Sequence, residues 1–328
     1  MPAAMDTPST APRAAYVRRI NGVLDHINAH LGDTLDLQTL AAVAHFSPWH
    51  FHRIFQAMTG ETLADCVRRL RLEAAAQRLL TRPPRSALAV ALAVGFASPE
   101  VFARAFKAYF GSTPTEWRRG AWREWATRHD EAFSKIHQEK RKPHQASVAV
   151  FLDHWPQPGS RLATINERSP MQVQVKTLPA MRLAYMRTTG PYGGGHIGKL
   201  WARFAAWCAA EGPMTQRQTT YGIGQDNPAI APADKLRYDC CVAVGESFMP
   251  QGEVGVQDFS GGRYACAPFK GTSAQIHAAW MQMYGQWLPE SGWQADDKPG
   301  VEVYGEDFEM DPATGIFTCE LCVPVRPL

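Results

Sequence analysis

The sequence predicts a multidomain protein of 328 residues, an all-α double helix-turn-helix domain followed by an α+β domain of two tandem strand-strand-helix-strand-strand repeats. Two self-similarities and one asymmetry of charge predict it. Residues 47–60 read SPWHFHRIFQAMTG and residues 98–111 read SPEVFARAFKAYFG, so S-P-x-x-F-x-R-x-F-x-A-x-x-G is written twice, 51 positions apart. In the second half an offset of 81 aligns Arg182 with Arg263 and Cys241 with Cys322, the mark of an internal repeat. Residues 1–142 hold 20 Lys and Arg against 13 Asp and Glu, and the remainder 14 against 18, so the amino-terminal half is the one suited to a polyanion.

Each copy of the first repeat carries the punctuation of one short helix. Ser47 and Ser98 are N-cap types, Pro48 and Pro99 occupy the first helical position, and Gly60 and Gly111 follow the last turn. Phe51 and Phe55 are four apart, as are Phe102 and Phe106, which gives one inward stripe per helix. The opposite face carries Trp49, His52, Arg53 and Gln56 in the first copy and Glu100, Arg104 and Lys107 in the second. Upstream, LQTLAAVAHF opened by Asp36 and SALAVALAVGF opened by Ser86 predict a preceding helix for each, hence two helix-turn-helix units. Gly95 supplies a left-handed turn residue in the second unit; the first has His45 near that place and a turn one residue shorter. ETLADCVRRLRLEAAAQRLL at 61–80, capped by Thr62, predicts a long helix between them.

The leader MPAAMDTPSTAP has neither the basic start nor the apolar core of a secretory signal, and no apolar run approaches the roughly 20 residues a membrane helix needs. A cytoplasmic protein with no membrane partner is expected, residues 1–13 being a disordered leader. Seven scattered cysteines, an odd number, do not form a disulfide framework. Cys319 and Cys322 spell C-x-x-C, but strand alternation sends them to opposite faces, so neither metal nor cofactor is expected.

Read together, GFASPEVFARAFKAYFGSTPTEWRR at 95–119 resembles the second helix-turn-helix of AraC/XylS-type transcription regulators, and the unit at 37–60 resembles the first. Gly95, Phe96, Ser98, Phe102, Arg104, Phe106, Gly111, Pro114 and Arg118 fall at that family's spacing. The resemblance implies a DNA-binding domain over residues 14–120, with the 61–80 helix holding the two units at a fixed separation. It also implies base-reading roles for Trp49, His52 and Arg53 in the first reading helix and for Pro99, Glu100 and Arg104 in the second. An arginine can grip guanine O6 and N7, a histidine can reach a base edge or phosphate, and Pro99 can pack against sugar or a thymine methyl. Glu100 either accepts from cytosine or repels phosphate, and Trp49 either contacts DNA or packs against the helix before it. Gln56 and Lys107 complete the two faces. Because successive groove faces lie about 34 Å apart, two units in one chain read two turns of double-stranded DNA without dimerising. The alternative is a helical bundle in which both helices are core elements and Arg53 and Arg104 are merely solvated.

After Trp117 a charged, helix-like stretch and then mixed-polarity sequence predict a linker over 121–169. From 170 to 328, MQVQVKTLPAMRLAYMRTTGPY, GKLWARFAAWCAAEG, TTYGIGQDNP and RYDCCVAV give one strand-strand-helix-strand-strand order, and the sequence from VGVQDF to the end gives it again. The offset of 81 sets Asp239 opposite Glu320, and Tyr221 and Tyr304 stand in matching YG pairs two residues out of step. Alternation along the last strand turns Phe317, Cys319, Leu321, Val323 and Val325 toward helices and Glu320 away from them. The same count sends Asp239, Glu302 and Tyr304 to an uncovered sheet face, where the repeats could enclose a cleft suited to a cationic or amphipathic ligand. Trp201, Trp280 and Trp287 are read as core.

The tandem repeat, GPY at 190–192 and ELCVPV at 320–325 resemble the GyrI-like effector-binding domain that some AraC-type regulators carry. This resemblance implies a drug-like small molecule held between the halves, and a glutamate near the final strand, which maps onto Glu320; an edge charge or a salt bridge is the other reading of that residue. The expected function is a sequence-specific transcription regulator, not an enzyme, controlled by an aromatic or amphipathic effector at Tyr221, Asp239, Glu302, Tyr304 and Glu320. Its expected partners are double-stranded DNA, the effector and RNA polymerase. The competing class is a hydrolase fused to a DNA-binding domain, since GyrI-like folds include hydrolases of strained small molecules and these acids could activate a water.

Overall fold

The computed structural model describes residues 10–81, 83–128, 171–192, 195–210, 218–273, 275–311 and 313–328. Helix α1 (Thr10–Ala29) begins inside the stretch read as a disordered leader. Pro12 is tolerated there because first-turn N–H groups have no helical acceptor to lose. The first helix-turn-helix is α2 (Leu37–Val43) with α3 (Pro48–Thr59), the spacer is α4 (Leu63–Leu80), and the second unit is α5 (Ala87–Ala93) with α6 (Pro99–Phe110). Asp36, Thr62, Ser86 and Ser98 each accept a hydrogen bond from the backbone N–H three residues on; Ser47 stands at its N-cap without one.

The two turns have the same backbone pattern despite their different lengths. His45 and Gly95 are both left-handed, at φ 53° and 82°. The following residues, Phe46 and Phe96, donate to the carbonyls of Ala41 and Ala91 at 3.0 and 2.9 Å. At Gly95 a Cβ would fall 2.4 Å from the Leu31 carbonyl oxygen and 2.6 Å from Arg71 Nη2, so glycine is demanded by space as well as by φ. His45 adopts the same region with a side chain, at a cost of about 1 kcal/mol.

Spacer helix α4 feeds two apolar cores. Cys66, Val67 and Leu70 pack with Ile27, Leu40, Phe51 and Phe55, while Leu72, Ala75, Ala76 and Leu79 pack with Val90, Phe102, Phe106, Phe110 and Trp117. Arg71 sits at the boundary and holds both sides: Nε and Nη2 donate to the carbonyls of Leu31 and Asp33 at 3.0 and 2.8 Å, and Nη1 to that of Gly95 at 3.0 Å. Residues 122–128, counted in the linker, are helical and bury Trp122 and Ala126. The rest of the expected linker, 129–169, lies outside the described residues.

The second half is an antiparallel sheet of β1 (Gln174–Leu178), β2 (Met181–Thr189), β3 (Thr220–Gly224), β4 (Arg237–Ala243), β5 (Gly255–Phe259), β6 (Gly262–Gly271), β7 (Trp293–Ala295), β8 (Val301–Tyr304) and β9 (Phe317–Pro327). Their order is β1-β6-β9-β8-β3-β4-β2-β5, with β7 on β9. The first strand of each repeat pairs with the other repeat, β1 with β6 and β5 with β2. The links β1–β2 and β5–β6 are nevertheless only two residues long, so the sheet curls until its edges approach. Inside the curl Leu183, Tyr185, Phe259, Tyr264, Cys266 and Cys322 pack together. The outer face is covered by helices Gly195–Ala210 and Ile276–Gln282: Leu200 and Phe204 pack on Met186 and Val242, and Trp280 packs against the group of Ala265, Ala267 and Val323.

The halves dock. Ile230, in the loop between β3 and β4, is 4% exposed and joins the core of Phe110 and Trp117, and Trp125 Nε1 donates to its carbonyl at 3.1 Å.

Candidate DNA interface and ligand site

On α3 the stripe Phe51 and Phe55 is buried, and His52, Arg53 and Gln56 are exposed on the other side. On α6, Phe102, Phe106 and Phe110 are buried, Glu100, Arg104 and Lys107 are exposed, and Pro99 is half-buried. The side chain of Trp49 lies outside the described residues. Helical spacing thus brings His52, Arg53 and Gln56 to one open face of α3, and Glu100, Arg104 and Lys107 to one open face of α6. Glu100, in the first turn of α6, is held below the usual carboxylate range by its own backbone N–H and the Ser98 hydroxyl, so it carries its charge to that face. At the far end of α3, Lys235 from the other domain donates its ammonium to the Thr59 carbonyl at 2.9 Å, where positive charge suits a helix C-terminus.

Register splits the five residues expected at the ligand site. Glu302 pairs with Gly222 on one side and Leu321 on the other, and Gly222 pairs with Cys240. Directly paired residues share a face, so Glu302 and Tyr304 point to the helix-covered outside with Cys319 and Leu321. This corrects the expectation that they face an uncovered surface. Asp239, Tyr221 and Glu320 point inward. Alternation fixes which residues of one strand share a face, but a one-residue change of register exchanges faces between strands.

Glu302 is buried among aromatic groups. Oε2 accepts from the hydroxyls of Tyr238 and Tyr304 at 2.5 and 2.8 Å, and Oε1 from Trp280 Nε1 at 3.3 Å. Trp201 Nε1 donates in turn to the Tyr238 hydroxyl at 3.3 Å, and its ring centroid lies 4.8 Å from that of Tyr304. Burial pushes the Glu302 carboxyl above its ordinary pKa, against the three hydrogen bonds that favour its charge. Gly222 makes the contact possible: a Cβ there would lie 2.0 Å from the Tyr238 hydroxyl and 2.7 Å from Glu302 Oε2. Trp201 and Trp280, read as core, are half-buried and present their N–H edges to this cluster, while Trp287 packs beside Met283. Tyr238 escaped the sequence reading, although its place next to Asp239 on a strand puts it on the opposite face.

Residues 171–326 match the GyrI-like small molecule binding domain family, and residues 40–120 a helix-turn-helix domain family. The second half is 31% identical over 160 residues to the DNA gyrase inhibitor of Edwardsiella piscicida, covering 48% of this chain and 99% of that protein. The first is 31% identical over 104 residues to the regulatory protein SoxS of Escherichia coli (strain K12), covering 32% of this chain and 96% of that one. The chain is an AraC-type transcription regulator with a GyrI-like domain. The two halves also occur together in a relative, the right origin-binding protein of Escherichia coli (strain K12), 25% identical over 323 residues that cover 94% of this chain and 98% of that protein.

In this AraC-type regulator the inward acids have other partners. Asp239, fully buried, receives Arg187 Nε and Nη2 at 2.6 and 2.7 Å, with Gln225 and Gln257 on Oδ2 at 2.8 and 3.1 Å. Arg187 Nη1 reaches on to Asp25 of α1 at 2.7 Å, and the Tyr185 hydroxyl donates to the same carboxylate. Asp239 is therefore the inner end of an interdomain bridge and not the wall of an open cleft. Glu320 pairs with Lys176 at 2.5 Å, both more than a third exposed, and Tyr221 lies half-buried against the inner core. Cys322 stands opposite Cys266 across β6 and β9, and with Glu320 their ligand atoms lie within 4.8 Å of one another. Among the described residues this is the group that could hold a metal, with a Glu320 oxygen already taken by Lys176. No helix of the described residues is long and apolar enough to cross a membrane.

Proposed function

We propose that this regulator reads two successive turns of DNA with α3 and α6 and is controlled by a small organic cation with an aromatic or amphipathic body, bound at Glu302. The observation that carries the ligand reading is a buried carboxylate whose charge is met by three neutral donors, Tyr238, Tyr304 and Trp280, inside a box of rings. A cation entering between the half-buried Trp201 and Trp280 offsets the desolvation of that carboxylate and meets the ring faces. Arg53 and Arg104 are the residues for guanine, with His52, Gln56 and Lys107 beside them, and RNA polymerase is a further partner of the bound complex.

The ligand reading is tested with benzyltrimethylammonium and its uncharged isostere neopentylbenzene, titrated by tryptophan fluorescence. Glu302→Gln weakens the cation by about tenfold or more and the neutral compound little; equal affinities in wild type and variant overturn it. Selection of bound duplexes from a random pool tests the DNA reading. A second reading, hydrolysis, draws on the raised pKa of Glu302 beside two tyrosines, the setting of a general acid. Mass measurement of a candidate molecule before and after incubation separates the two, since a sensor returns it unchanged.

A further inference from the structure

The loop between β3 and β4 belongs to both halves of the molecule. Ile230 is a peg in the core of the second helix-turn-helix, and Lys235 caps the last turn of α3 in the first. Three residues after Lys235 comes Tyr238, whose hydroxyl is the shortest hydrogen bond to Glu302. The residues between are stiff. Leu236 is buried and its carbonyl accepts from the Gly190 N–H at 2.8 Å. Asp226 accepts from the Arg237 backbone at 2.7 Å and from its guanidinium at 2.9 and 2.5 Å. Burial works against the Asp226 charge, yet Arg237 holds its pKa below the ordinary value, so the pair stays ionised. Tyr192 braces the same place, accepting from the Asp226 N–H at 3.1 Å and donating to the Arg237 carbonyl at 2.8 Å.

We infer that the segment Lys235–Tyr238 is a rigid lever through which the Glu302 site and the C-terminus of the reading helix α3 sense each other. The inference rests on the proposal that Glu302 is the ligand site. A cation that takes the Glu302 oxygens competes with the Tyr238 hydroxyl, and displacement of Tyr238 is passed along a braced, three-residue path to the Lys235 ammonium. Because the Lys235 ammonium grips the last turn of α3, the effect falls on the half-site that α3 reads. Coupling between sites is reciprocal, so DNA engagement of α3 alters the ligand site by the same factor.

The test uses the full chain and a double-mutant cycle that needs no ligand. DNA affinity is measured for wild type, Tyr238→Phe, Lys235→Met and the double variant, on a selected duplex and on one with the α3 half-site scrambled. The effects of the two single changes multiply if the sites are independent. The lever predicts that the double variant departs from their product by about threefold or more on the intact duplex only. Multiplicative effects within experimental error overturn it, as does an equal departure on both duplexes. Lys235→Gln replaces Lys235→Met should the latter fold poorly, and hydrogen exchange of the last α3 turn gives a second readout: Tyr238→Phe speeds exchange there in the Lys235 background but not in Lys235→Met. With benzyltrimethylammonium, Lys235→Met keeps the wild-type affinity for the probe and loses most of its effect on DNA binding. If the probe fails to bind wild type, the ligand proposal falls while the cycle still decides the lever.

Discussion

At Gly222 the absence of one methyl group permits two oxygens to meet. Gly222→Ala should cost about 1–3 kcal/mol in denaturant unfolding, because Tyr238 and Glu302 must move apart to admit the Cβ, and it should weaken the cation probe as well. A pH titration examines Glu302 itself. Its pKa is raised by burial, so lowering the pH protonates it sooner than an ordinary glutamate and removes the charge the cation needs. Cation affinity should therefore fall toward acid pH, and this dependence should vanish in Glu302→Gln; a fall that persists in the variant assigns it to another group. On the scale of residues the sequence was legible for helices and half-legible for strands. His52, Arg53 and Arg104 stand on open faces because a helix carries its own phase, whereas Glu302 and Asp239 were assigned to one face although the ladder through Gly222 puts them on two.

Arg69 and Glu73 of helix α4 belong to a buried charge chain, and its titration should make the stability of the DNA-binding half depend on pH. Arg69 lies between Glu61 at 2.6 Å and Glu73 at 3.2 Å, and the Tyr109 hydroxyl of α6 donates to Glu73 at 2.9 Å. Burial pushes the Glu73 carboxyl up to about 7, against the pull of Arg69. A carboxyl with a raised folded pKa binds more protons folded than unfolded, so its contribution is fully present below the unfolded value of 4.5 and is lost as pH rises through about 7. The stability difference between wild type and Glu73→Gln should thus move in favour of the variant between those limits, by about 1 kcal/mol or more; parallel stability curves would place the titration elsewhere. Caps and turns at this scale follow from local sequence, since Asp36, Thr62, Ser86 and Ser98 act three residues away. Strand exchange between repeats does not, because β1 pairs with β6, a strand more than 80 positions away in the sequence.

Across the whole molecule the prediction is one chain on two unlike half-sites roughly 10 bp apart, since His52 and Arg53 differ from Pro99, Glu100 and Arg104. Arg53→Ala and Arg104→Ala should each lose about 1–3 kcal/mol, each at its own half-site, in binding assays with single-half-site mutants of the duplex. Equal losses on specific and random DNA would make both arginines phosphate contacts. The docking of the halves had no signature in the sequence. Asp25 and Arg187 lie 162 positions apart, and Ile230 reads as one more apolar loop residue until it is seen in the core of Phe110 and Trp117.

The strand order of the sheet reads the same from either end when the repeats are exchanged, with the pseudo-twofold at the β3–β8 joint. Had two identical single-repeat chains met at that joint, symmetry would have placed an acid on both sides of it. Each glutamate would still face a glycine, since Gly222 and Gly305 hold the same place in the YG pairs, but two carboxylates would then be buried at one joint. One polypeptide containing both copies is free of that constraint. When the YG pairs are aligned, Thr219 stands where the second copy has Glu302, and Gly222 faces the acid from the first. Each copy can drift by itself while the shared architecture stays, so fusion converts a symmetric joint into a lopsided one with a single charge. A domain of this design can alter its second copy at the joint while the first, through Ile230 and Lys235, keeps its hold on the DNA-reading half.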